Sequence, residues 1–405
     1  MNPRLSARFR TSLVAAVLLL THNGPLSAFT SGPVLTLTEQ LQHADAGVVV
    51  QWVKGEQNRF VTNEKGVKTE VVGSTTFRIQ QLMKPAKEVS VNQTITKDYY
   101  VPGKAGDLFI LFGFEEPPTK GIAWWGTSTP ISKAGVTYLA EAPLPRIAAA
   151  QRLDYFFKFL DSSEPMIAAD SFWEFDNADH NDIAQMAAQL PREKIRQWIA
   201  DPETWGGRLG LYCILLGHCG TSEDATLLEK LVLIENDDFR IGIDGVMSGY
   251  LLIAGEKGLD VLDQHKLVKK GIPFSEMYGA QQAVRFMWRH GKGRISEDRL
   301  RQSMRLLLDR ADMADLAIAD LARWKDWSIQ DKVMAKYGEG DYNIPCVKRA
   351  IVRYLLASSK AVTPGGPGPQ PAYVIHGQKL LEELRKKDPK TVSETERYLQ
   401  LYVAP

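Results

Sequence analysis

The densest grouping of residues able to do chemistry is SFWEFDNADHND, which places Glu174, Asp176, Asp179, His180 and Asp182 close together. Carboxylates and an imidazole that converge can act as general acid and base, or hold a divalent cation. Here they straddle the end of an apolar segment and a turn, and their spacing fits no recognised ligand pattern. A solvated turn in which Asp179 or Asn181 caps the next helix accounts for the same residue types. Cys213, His218 and Cys219 form a second grouping, but it lacks the second ligand pair of a zinc site. No GxSxG elbow, HExxH helix, phosphate-binding loop or dinucleotide fingerprint occurs, so neither a metal nor a cofactor is expected.

Two further features bear on binding. Trp124 and Trp125 are adjacent in a strand-like run, so they must point to opposite faces. One can join a core, leaving the other to pack between domains or to stack on a ligand. Gly242, Gly245 and Gly249 form a stripe at i, i+3 and i+7 of an amphipathic segment. Three interior glycines cost about 3 kcal/mol relative to alanines. Close approach of a neighbouring helix offsets that, with approach of a ligand to the backbone as the alternative. Gly206, Gly207 and Gly210 look like the same device one repeat earlier. The basic runs Arg289 to Arg294 and Arg385 to Lys387 are short and read as solvated helix ends.

The elements that must position these residues fall into two kinds. From Ala44 to Tyr138 the pattern is β, with strands expected at Val48 to Val53, Thr75 to Gln80, Val89 to Ile95, Asp107 to Phe112 and Ile122 to Trp125. Such short strands, separated by Gly and Pro clusters, predict a small barrel or sandwich over 29–142. The runs ADAGVVVQWVKG, TTFRIQQLMK, EVSVNQTI and GKAGDLFILFGF resemble the OB-type barrel of netrin-like and metalloproteinase-inhibitor-like domains. That resemblance implies an inhibitor-like β domain as a further alternative. The cysteines those domains carry are missing, including the N-terminal cysteine that chelates a metal, so inhibition is not carried over.

From 143 to 405 the pattern is helical. First helices at Arg208 to Leu216, Arg240 to Ala254, Tyr278 to Arg289, Ala311 to Trp324 and Val347 to Leu356 end at intervals of about 33 to 36 residues, a repeat-array spacing. Each is followed by a second apolar helix, with N-caps expected at Thr221, Ser296 and Ser393. This pattern resembles HEAT-type α-solenoids, and the whole arrangement resembles a group of exported bacterial proteins without an assigned activity. The fold class expected is therefore α+β and multidomain, a small β-barrel or sandwich followed by a HEAT-like α-solenoid. A Pro/Gly-rich loop at 361–371 interrupts the last pair.

The chain has 49 basic and 48 acidic residues. A basic start (Arg4, Arg8, Arg10), an apolar run from Leu13 to Leu20 and small residues at Leu26-Ser27-Ala28 read as a signal peptide over 1–28, cleaved after Ala28. Its removal leaves 46 basic against 48 acidic residues. That balance gives no field for nucleic acid. A periplasmic or extracellular location without a membrane span in the mature chain follows, with a retained N-terminal anchor as the alternative. Only three cysteines remain for an oxidising compartment, and they are expected as buried thiols. The leading functional expectation is a non-enzymatic scaffold that binds a protein or peptide on its helical-repeat surface. The rival is a hydrolase or other enzyme at the junction of the β domain and the first helices. It would use Glu174, Asp176, His180 or Asp182 with Trp124 or Trp125.

Overall fold

The computed structural model describes residues 34–62, 68–116, 121–186, 189–235, 238–360 and 370–403. The expected signal peptide, most of the 361–371 loop and the side chain of Trp125 lie outside the described residues. The chain is an α+β protein in two compact units, Met1–Met186 and Ala187–Pro405. The helices between 149 and 186 therefore group with the sheet. Among the described residues no helix is long and apolar enough to cross a membrane.

The first unit opens with helix α1 (Leu37–His43), started by a capping box in which Thr36 and Glu39 satisfy one another's backbone. Strands β1 (Ala46–Glu56), β4 (Ser74–Lys84), β5 (Thr94–Lys97), β6 (Leu108–Glu116) and β7 (Gly121–Pro130) form one antiparallel sheet in the order β5-β4-β1-β6-β7. A separate hairpin pairs β2 (Arg59–Thr62) with β3 (Lys68–Val71). Alternating residues of β1, β4 and β6 build the core: Val48, Val50, Phe77, Ile79, Phe109 and Leu111.

Where a barrel or sandwich was expected, the five strands form one antiparallel sheet. No backbone ladder joins β5 to β7 among the described residues. Side chains bridge that gap instead. Buried Lys97 donates to the Trp124 carbonyl, and Tyr99 Oη donates to the Gly126 carbonyl at 2.8 Å.

Two local expectations are corrected. The alternation from Val89 to Ile95 is mostly a turn, because Glu88 and Asn92 take left-handed backbone at φ 69° and 70° and only Thr94 onward pairs. The β pattern also stops before Tyr138. Ser132 caps helix α2 (Lys133–Glu141) by accepting from the Gly135 N–H at 2.9 Å. Helices α3 (Ala149–Phe157), α4 (Pro165–Asp176) and α5 (His180–Met186) complete this unit.

The second unit is helical throughout. It runs α6 (Arg192–Ala200), α7 (Gly206–Cys219), α8 (Ser222–Leu233), α9 (Ile243–Leu262), α10 (Phe274–His290), α11 (Glu297–Leu306), α12 (Ala314–Arg323), α13 (Gln330–Ala335), α14 (Pro345–Ser359), α15 (Ala372–Lys387) and α16 (Pro389–Val403). Every expected first helix is present. Asp224 accepts from the Thr221 N–H at 2.8 Å, and Ser296 accepts from the Arg299 N–H at 3.3 Å, so these two caps form. Ser393 is no cap. It lies inside α16, where Pro389 occupies the first position.

The glycine stripe has a definite partner. A Cβ on Gly245 would sit 2.7 Å from backbone atoms of Gly210, and one on Gly249 would sit 2.0 Å from the Cys213 carbonyl oxygen. Gly242, at φ 78°, faces the Gly206 carbonyl, and Gly217 faces Gly249. The two helix backbones of α7 and α9 therefore touch along their length. Gly207 belongs elsewhere, since its nearest neighbour is the Trp205 ring. Three free cysteines are present, of which Cys213 is buried, Cys219 half-buried and Cys346 exposed, so the expectation of buried thiols fails at Cys346.

A Gly249→Ala substitution should destabilise the chain by about 3 kcal/mol or more, because backbone cannot yield as a side chain does. Denaturant unfolding measures this. An unchanged midpoint would contradict the backbone contact.

Candidate functional site

Glu174 is buried, as is Asp170 one turn before it on α4. The two carboxylates meet the start of α1, whose first N–H groups have no partner within their own helix. The Leu37 N–H donates to Asp170 Oδ1 at 2.7 Å, and Thr38 Oγ1 donates to Glu174 Oε1 at 2.5 Å. Arg152 from α3 pairs with the other Glu174 oxygen. Tyr138 Oη donates to Asp170 Oδ2 at 2.8 Å and also contacts Ser171. Asn177 Nδ2 holds the Val34 carbonyl at 2.9 Å. The cluster is a clamp: acids at a helix N-terminus, where the macrodipole favours negative charge.

Burial governs the titration of this clamp. It pushes Asp170 up to about 6, against the hydrogen bonds from Leu37 and Tyr138 that pull the other way. Burial likewise raises Glu174, against Thr38 and Arg152. Tyr138 rises through burial and then through the Asp170 charge.

The remaining candidates lie at the end of α4, at the start of α5 and on the sheet. Asp176 closes α4, while His180 and Asp182 open α5, and all three are half-buried. Asp179 accepts from the Asn181 N–H at 2.7 Å, a helix-start role. Trp124 lies across Gly113 and packs on the sheet core. Among the described residues no three His, Cys, Asp or Glu side chains are grouped to hold a metal ion. Both oxygens of Glu174 are bonded within the clamp, one to Thr38 and the other to Arg152.

In the helical unit, three neighbouring turns line an open pocket of about 420 Å³. Gly217 and His218 come from the end of α7, Thr221 from the turn that follows it, Leu252 and Gly255 from a break in α9, and Arg294 from the α10–α11 turn. Gly255 makes the break at φ 60°, ψ −137°, and Arg294 Nη1 caps the Leu252 carbonyl at 2.9 Å. His218 Nε2 is buried and has no hydrogen-bond partner among the described residues. Burial, then the charges of Arg294 and Lys292, hold His218 down to about 4. It is a neutral imidazole at pH 7. Burial also raises the Cys213 thiol.

A second buried cluster sits at the opposite ends of these helices. Arg240 grips Glu276 with two hydrogen bonds of 2.7 Å and donates to the Leu231 carbonyl at 2.8 Å. Lys266, buried in the π-helical turn Asp263–Val268 that follows α9, also bonds Glu276 at 2.7 Å. This cluster draws four loop ends together. Around it stand exposed Ile234, Phe239, Ile241, Val268 and Phe274, with exposed Trp205 beside Gly206, which touches Ile241. Scattered exposed apolar residues are ordinary; a contiguous set marks a contact surface.

The sequence reading did not single out Asp170, Arg152, Glu276 or Lys266 as partners. The available signal was a charge set among apolar neighbours, such as Asp170 between Ala169 and the run Ser171-Phe172-Trp173.

Asp170 sets a pH test. Its folded value is raised, so its stabilising contribution is full below the ordinary carboxylate range and is lost as pH rises through about 6. The loss amounts to about 3 kcal/mol. Asp170→Asn keeps an acceptor for Leu37 and should flatten this part of the stability profile between about pH 4 and pH 7. An unaltered profile would show that Asp170 does not titrate in the clamp. Comparison with family models, curated proteins and solved structures finds no match to this chain.

Proposed function

We propose that the chain is an exported, non-enzymatic binding or scaffold protein that takes a protein or peptide partner on its helical-repeat surface. The observation that carries this reading is the edge gathered by Arg240, Glu276 and Lys266. Six exposed apolar residues, three of them the aromatics Trp205, Phe239 and Phe274, stand on loop ends that a buried ion cluster holds in place. Rigid aromatics around a fixed frame lose little conformational freedom on binding and bury large area.

The HEAT-like reading is supported by the succession of helix pairs from α7 to α15, and the α7–α9 contact is the kind of packing such an array needs. The OB-type reading of the first unit is supported by its strand order and by the Lys97 and Tyr99 bridge. That unit serves as a second docking module. Export rests on the basic and apolar start of the sequence.

Phe239→Asp combined with Phe274→Asp should reduce capture of cross-linked partners from the exported fraction about tenfold or more, since each buried Phe contributes about 1.5–3 kcal/mol. Far-UV circular dichroism and melting temperature should stay close to the parent. Equal capture of the same partners by the double variant would overturn the assignment of this edge.

A further inference from the structure

One face of α10 continues from the apolar edge into a cationic strip. Phe274, Tyr278, Gln282, Arg285 and Arg289 fall within about 100° of one another around the helix. Phe274 and Tyr278 stack with ring centroids 5.9 Å apart. Toward the other end, two guanidiniums and one side-chain amide share one carboxylate. Asp320 of α12 is buried, and it receives Arg323 at 2.8 Å, Arg285 at 3.3 Å and Gln281 at 2.8 Å. Arg289 is exposed and makes no hydrogen bond or ion pair among the described residues. Burial and the neighbouring Arg285 lower its affinity for a proton, with Arg323 adding to the repulsion and Asp320 opposing it. Gln282 accepts from Arg285 through Oε1 at 3.1 Å, while its Nε2 is a buried donor without a partner.

The face therefore carries more positive charge than its own acids neutralise. Asp320 lies committed beneath it, and the charges of Asp244 and Asp320 both act on Tyr278 at the aromatic end. A helix C-terminus favours cations, but that preference leaves the buried Gln282 donor unsatisfied. We propose that this face binds an acidic peptide segment, with an apolar residue resting on Phe274 and Tyr278 and carboxylates reaching Arg285, Arg289 and Arg323. Tyr278 and Arg289 are eleven positions apart, about 17 Å along the helix, which about five extended residues span. The inference rests on the binding reading above and gives the partner its chemistry.

The test is fluorescence anisotropy on the full chain with two labelled peptides, Leu-Phe-Ser-Gly-Asp-Glu-Glu and its amide counterpart Leu-Phe-Ser-Gly-Asn-Gln-Gln. The acidic peptide should bind about tenfold tighter or better, and its advantage should shrink as salt rises from about 0.05 M to about 0.5 M. Arg289→Glu should remove the advantage and Arg289→Lys should keep most of it. Neither should perturb folding, since Arg289 has no internal partner among the described residues. Equal affinity for the two peptides, binding of neither, or an unaltered preference in Arg289→Glu would overturn the proposal. So would tighter binding of a single-stranded oligonucleotide of matched charge. A charge-blind result with partner capture at the Phe239–Phe274 edge intact overturns this inference alone. Equal capture by the parent chain and the Phe239→Asp, Phe274→Asp variant overturns the reading beneath it.

Discussion

The contact on which the helical unit depends is backbone against backbone, between α7 and α9. Glycine at 206, 210 and 217 meets glycine at 242, 245 and 249, leaving no space for a Cβ at any of the closest points. Atoms this close gain dispersion energy that larger side chains would hold apart. The same closeness fixes the register of the two helices, since a shift would drive side chains into the opposing backbone. The elements on either side inherit their placement from this seam: α8 packs on α9, and α10 packs on its other side.

Buried polar groups extend that register outward. Arg240 reaches Glu276, Gln281 reaches Asp320, and Gln330 reaches Ser358 and the Tyr373 carbonyl, each joining one hairpin to the next. Buried ion pairs are weak contributors to net stability, because desolvation offsets much of their attraction. Loss of one partner, however, leaves a buried charge unmatched. Such groups penalise misaligned packing more than they strengthen the aligned one. In the first unit Asp170 and Glu174 do the same for α1. The residues that look most chemical in this chain are largely occupied in alignment.

How much of this was legible in the sequence depends on the range of the interaction. The stripe Gly242, Gly245, Gly249 was readable because small residues at helical spacing have a cost that close packing offsets, although its partner was not identified and ligand approach stood as the alternative. The caps at Thr221 and Ser296 were readable because capping is local. Ser393 carried the same local pattern and misled, since Pro389 had already begun the helix. Val89 to Ile95 misled because alternation says nothing of the left-handed turn at Asn92. The clamp was out of reach. Leu37 and Asp170 lie 133 positions apart, and Thr38 and Glu174 lie 136 apart, so no periodicity links them. Glu174 drew notice for its type, while its partners Arg152 and Thr38 drew none. The Glu276 cluster was equally hidden, because Arg240, Lys266 and Glu276 come from separate segments and meet only in the fold.

Native-state hydrogen exchange, read peptide by peptide, tests most directly whether the seam is the centre and the edges are the working surface. Amides of Gly206–Cys219 and of α9 before Gly255 should exchange slowest, opening only with global unfolding. The loop ends around Phe239, Val268 and Phe274 should exchange faster in the free chain and gain protection when partner is bound. Fast exchange along α7 and α9, or partner-induced protection confined to segments away from those loop ends, would contradict it.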